Sequence, residues 1–115
     1  MTSINDYYKL RPAEYGSIVV VEFMQFETSD RAVQQDLRVV LSKSPKLSGP
    51  RLILTFRGVR QVEFHQPDLS LASFGLVEIT ECDGEFRVAE DEGQLKFFCM
   101  TFDATPEYPD LSTIA

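Results

Sequence analysis

The residues of this chain that could do chemistry are one histidine, two cysteines and a dense run of carboxylates. His65 is flanked by Glu63 and Asp68, so a carboxylate could orient an imidazole base or share a metal with it. No second histidine exists, and no serine or cysteine is positioned beside it. A surface histidine at a strand end is therefore the better account. Cys82 and Cys99 lack both a CxxC partner and a histidine cluster, which argues against zinc. Both sit in strand-like segments and read as buried free thiols. The carboxylates Glu78, Glu81, Asp83, Glu85, Glu90, Asp91 and Glu92 do not follow the spacing of a calcium-binding loop. They are either the solvated, edge-protecting charges of a hairpin or an acidic docking surface for a basic protein. On the second reading Glu81, Asp83, Glu85, Glu90, Asp91 and Glu92 are the candidate binding residues. Arg51, Arg57 and Arg60 fall on one strand with Gln61 and Glu63, a polar face that is either solvated or an anion site. The glycines are scattered singly, so no phosphate-cradling loop is present. The pattern predicts a protein that is not an enzyme and needs no cofactor or metal.

Composition narrows the partners. Eighteen acidic against 11 basic residues give a net charge of -7. Such a surface repels phosphate backbones and anionic headgroups, which argues against nucleic acid and membrane surfaces. The polar opening MTSINDYYKLRPAEYG has no apolar core of a signal peptide. The longest apolar run, Ile18 to Val21, is far short of the roughly 20 residues a membrane helix needs. A cytoplasmic location is expected. At 115 residues with 43% hydrophobic content, one domain spanning 1–115 is expected.

The elements that must position these groups are mostly strands. Residues 4–12 suggest a helical turn capped by Asn5 or Asp6 and stopped by Pro12, with Tyr7 and Leu10 as its apolar side. Residues 17–27 are apolar on both parities, which predicts a central strand or a dimer interface. Residues 28–43 fit either a helical stripe (Val33, Leu37, Val40, Leu41) or a strand (Leu37, Val39, Leu41). A loop over 28–35 followed by a strand from Asp36 to Ser42 is favoured. Residues 43–50 form a loop. RLILTFRGVRQVEF (51–64) alternates well, and Gly58 predicts a bend or a change of partner at 57–59. After a connector, FGLVEITEC (74–82) and EFRVAE (85–90) flank Asp83-Gly84, which predicts a hairpin with a type I′ turn. A further turn leads into QLKFFCMTF (94–102), again apolar on both parities and read as covered on both sides. Residues 103–115 read as an extended or flexible tail. The fold class is mainly β, an antiparallel sandwich or curled open sheet of five to seven strands with at most one or two short helices.

RLILTFRGVRQVEF with the downstream GEFRV and QLKFFCMTF, carrying F-x-G-V (56–59) and F-x-C-x-x-F (97–102), resembles small β-rich bacterial domains. Some of these are similar to immunity proteins, which neutralise a cognate toxin by binding it. The resemblance covers residues 51–102 and transfers no individual residue role. It implies a protein-binding module whose acidic surface meets a basic partner. A second reading is a small-molecule or lipid-binding β fold with a pocket lined by Phe23, Phe56 and Phe97. A homodimer is compatible with either.

Overall fold

The computed structural model describes residues 2–43, 50–64, 76–91 and 93–107. Among these residues a short helix, α1 (Ile4–Lys9), and a 3-10 turn (Pro12–Glu14) precede eight strands. These are β1 (Ser17–Glu27), β2 (Val33–Ser42), β3 (Arg51–Arg57), β4 (Arg60–Phe64), β5 (Val77–Cys82), β6 (Glu85–Glu90), β7 (Leu95–Cys99) and β8 (Thr101–Glu107). They form two four-stranded antiparallel sheets, ordered β1-β2-β3-β8 and β4-β7-β6-β5. The mainly-β, antiparallel expectation holds, with β5, β6 and β7 forming the expected meander. There are, however, eight strands where five to seven were expected, and residues 103–107, read as tail, belong to β8 paired with β3. Residues 51–64 supply two strands because the chain breaks at Gly58, as its glycine suggested. Residues 94–107 also supply two, divided at Met100.

These two breaks are one structural device, a corner through which the chain passes between sheets. Met100 N–H donates to the Arg57 carbonyl at 2.9 Å, and Val59 N–H donates to the Gln35 carbonyl at 2.8 Å. Gly58 has φ +65, and a Cβ there would stand 3.0 Å from Met100 Cγ. Glycine meets both conditions at once. The corner also explains why residues 94–102 are apolar on both parities. Leu95, Phe97 and Cys99 face the core from one sheet, and Phe102 faces it from the other after the parity changes. β7 does lie inside its sheet, between β4 and β6, but the segment as a whole is not covered on both faces.

The core is shared. Leu37, Val39, Leu41, Leu52, Leu54, Phe56 and Phe102 of the first sheet meet Val77, Ile79, Val88, Leu95, Phe97 and Cys99 of the second. Phe56 and Phe97 cross edge to face with ring centroids 4.8 Å apart, and Phe102 meets Phe86 in the same way at 5.1 Å. Residues 33–42 are strand, not helix, and the strand begins earlier than the favoured reading. Its pairing with β1 continues to Glu27↔Val33, so the loop shrinks to a tight turn around Thr28–Arg31. Arg38 and Val40 share the outward parity, as the strand reading required, yet Val40 is only 3% exposed. That burial on both faces produced the helix-like stripe.

Strand β1 is not central. It is the outer strand of its sheet, with Val20, Phe23 and Phe26 37%, 56% and 45% exposed. Among its described side chains, Ile18 and Val21 reach the core cluster. Apolar residues on both parities reflect a covered strand only where layers extend over both faces, and the second sheet does not reach the distal half of β1.

Helix α1 is capped by Ser3, whose Oγ accepts from Asp6 N–H at 3.1 Å, and not by Asn5 or Asp6. Tyr7 supplies the expected apolar contact and is fully buried. No helix among the described residues is long and apolar enough to cross a membrane.

Candidate protein-binding surface

The β5–β6 hairpin forms as its Asp-Gly pair dictates. Asp83 and Gly84 have φ 50 and 82, both left-handed, as a type I′ turn demands. Pairing runs in register from Cys82↔Glu85 to Val77↔Glu90. This alternation sends Val77 and Ile79 inward and Glu78 outward, while Glu81, on the inward parity beside the turn, is also exposed, with Asp83 at the tip.

The six candidate carboxylates do not make one surface. Glu81, Asp83 and Glu85 surround the hairpin tip, whereas Glu90 and Asp91 lie at the far end of β6. A six-residue strand separates the groups by roughly 20 Å. Glu85 is bound to Arg60, whose guanidinium lies 4.8 Å over the Phe98 ring. The hydrogen bond from Arg60 holds the Glu85 carboxyl below the usual carboxylate range. Glu90 is no surface residue: it is 3% exposed on the inward parity, and its Oε1 accepts from Gln94 N–H at 3.0 Å. Its task is to close the β6–β7 turn. Asp91 is exposed, and its N–H donates to the Leu76 carbonyl at 3.0 Å. Glu92, His65 and Asp68 lie outside the described residues.

The arginines predicted to share a polar face are each taken by a carboxylate: Arg51 by Glu107, Arg57 by Asp103 and Arg60 by Glu85. Hydrogen bonding from Arg57 lowers the Asp103 pKa. Arg38 pairs with Glu22 at 3.4 Å and Lys43 with Glu14 at 3.7 Å. The anion reading of that arginine set therefore loses its free cations. Glu78, Glu81 and Asp83, by contrast, have no ion-pair partner among the described residues. Sequence could not separate them from Glu85, whose partner Arg60 lies on a strand distant in sequence. Glu90 is held locally, by the N–H of Gln94 across the β6–β7 turn.

Phe56 and Phe97 are 0% and 1% exposed and packed on each other, while Phe23 is 56% exposed on the outer strand. The three therefore frame no common pocket among the described residues. A shallow groove of about 450 Å³ does run over the outward face of β7, lined by Gln61, Glu63, Arg87, Lys96 and Phe98. Glu63 and Lys96 stand opposite each other in register along it, and Arg60 lies over its Phe98. Among the described residues no group of three or more His, Cys, Asp or Glu is placed to hold a metal ion.

The two thiols differ, contrary to the expectation that both are buried. Cys99 is buried in the core, and burial pushes its pKa up to about 12. Cys82 is exposed, because it lies on the outward parity beside the hairpin turn. A thiol-reactive chromophore should therefore titrate one equivalent promptly in the native protein. The second should appear only on denaturation, about 100-fold more slowly or beyond. Prompt reaction of both would contradict the placement of Cys99.

No protein-family model, curated protein or solved structure matches this chain.

Proposed function

We propose that this protein is a non-enzymatic protein-binding module that presents the tip of its β5–β6 hairpin to a basic partner. The carrying observation is the uneven distribution of partnered charge. Arg38, Arg51, Arg57, Arg60 and Lys43 are each bridged to a carboxylate, while Glu81 and Asp83 remain exposed and unbridged at the two-residue hairpin turn. A preformed turn loses little conformational freedom on binding, and unpaired carboxylates steer a cationic partner toward it. The resemblance of residues 51–102 to immunity-like domains supports the same reading, with a basic toxin domain as the class of partner.

The test is to capture binding proteins from native lysate on the tagged chain and measure the affinity of any stoichiometric basic partner. Glu81→Lys with Asp83→Lys should weaken that affinity about 10-fold or more, chiefly through slower association, and the loss should shrink as salt rises. Asp91→Lys, at the far end of β6, should leave it within about 2-fold. Equal effects at both ends, or no effect of the double reversal, would reject the hairpin tip as the contact.

A further inference from the structure

The sheet edges of this molecule are treated unequally. At β5 the edge is closed by α1: Tyr7 Oη donates to the Val77 carbonyl at 2.6 Å, and Tyr8 Oη accepts from Ile79 N–H at 3.1 Å. At β8 it is closed by Thr2, whose N–H donates to the Phe102 carbonyl at 3.0 Å and whose Oγ1 accepts from Ala104 N–H at 2.9 Å. The β4 edge spans five residues, with a register shift and Gln61 at φ 55. Such an irregularity resists strand addition. β1 is the exception. It is 11 residues long, its single irregularity lies between Ile18 and Val20, and nothing among the described residues hydrogen-bonds to its outer edge.

We propose that β1 pairs antiparallel with β1 of a second copy about a two-fold axis through Phe23, joining the two β1-β2-β3-β8 sheets into one. The exposed apolar side chains select both the occupant and the register. Val20, Phe23 and Phe26 are spaced symmetrically about Phe23. A two-fold there sets Phe23 against Phe23 of the partner subunit, and Val20 against Phe26 of the partner subunit, twice. It also sets Glu22 opposite Met24 of the partner subunit, so no carboxylate meets another. Moving the axis to Glu22 opposes that carboxylate to itself. An axis at Val21 sets Val20 against Glu22, and one at Met24 sets Phe26 against Glu22. Only the Phe23 axis matches each exposed apolar side chain with another. Such cross-strand pairs are the unit of sheet stabilisation, and an isologous contact of this kind closes at two copies. The proposal uses β1 alone, so it stands or falls independently of the hairpin-tip reading.

Sedimentation of the full chain, from low micromolar to ~1 mM, tests it. A monomer–dimer equilibrium is expected, tightening with added salt because each copy carries a net charge of -7. Val20→Lys alone and Phe26→Glu alone should each raise the dissociation constant about 10-fold or more. The double variant sets the introduced lysine of one copy against the introduced glutamate of the other at both ends of the paired strands. It should recover to within about 3-fold of the parent. Within one strand the two positions lie roughly 20 Å apart, so recovery cannot arise inside a single chain. Circular dichroism of each variant separates loss of pairing from loss of fold. A chain that stays monomeric throughout overturns the proposal. So does a dimer indifferent to both single substitutions, or a folded double variant that fails to recover.

Discussion

Phe102→Ala is expected to lower the unfolding free energy by about 3–5 kcal/mol, the range for deleting a fully buried aromatic ring. Phe102 is wholly buried and stands where three parts of the molecule meet. Its ring touches Phe56 of β3 at 6.3 Å, Phe86 of β6 at 5.1 Å and Tyr7 of α1 at 6.0 Å. The first contact is within its own sheet, the second joins the two sheets, and the third docks the helix. Collapse into the vacated space would require all three to move, so little of the cavity cost is recovered. For a domain of this size the midpoint of thermal unfolding should fall by roughly 10–25 °C. Phe102→Leu should cost under about half as much, since most of the volume remains. Met100→Ala, two residues away but 63% exposed, should stay within about 0.5 kcal/mol. Urea denaturation of the three variants checks the order. Equal effects at positions 100 and 102 would contradict the parity change at the corner.

That parity change marks where sequence reasoning stopped. Alternation and turn chemistry are local, and they were sufficient for the meander, the Asp83-Gly84 hairpin and the break at Gly58. Apolar residues on both parities have several structural causes, and periodicity does not distinguish them. In residues 94–102 the cause is a strand that leaves one sheet for the other. In residues 17–27 it is an outer strand with uncovered apolar side chains. At Val40 and Leu41 it is a strand buried on both faces at one end. The acidic candidates show the same limit. Glu85 and Glu90 resemble Glu81 and Asp83 in sequence, but the sheet brings Arg60 of β4 to Glu85, and Glu90 lies inward on the parity of Val88, bonded across its own turn to Gln94. A charge is free or consumed according to its neighbours across the sheet, which the linear chain does not display.

Tyr7→Ala should rank with Phe102→Ala, at about 3–5 kcal/mol, because it removes a fully buried ring together with the clasp on the β5 edge. Two substitutions separate these contributions. Tyr7→Phe keeps the ring against Phe102 but leaves the Val77 carbonyl without its 2.6 Å donor, at a cost of about 1–3 kcal/mol. Alkaline pH erodes the same contribution without mutation, by deprotonating the unfolded chain while the folded phenol keeps its bond. Burial, followed by the neighbouring Tyr8, raises the Tyr7 pKa well above its ordinary 10.0. A raised folded-state pKa means that this contribution is complete below the unfolded value and is lost as pH climbs beyond it, since the unfolded chain gives up its proton first. Wild-type stability should therefore fall steeply above about pH 10, with Cys99 adding an earlier onset from its ordinary 9.0. In Tyr7→Phe the decline should be shallower, leaving mainly the thiol contribution. Urea midpoints measured from pH 8 to 11.5 for both proteins make the comparison, and parallel curves would show that the phenol does not clasp β5 as a buried neutral donor. The uncovered β5 edge of Tyr7→Ala supplies a second readout. A strand relieved of both its helix and its hydroxyl partner is open to pairing with other chains, so this variant should aggregate below its unfolding midpoint, while Phe102→Ala, with Tyr7 and Tyr8 still in place, should aggregate only as it unfolds.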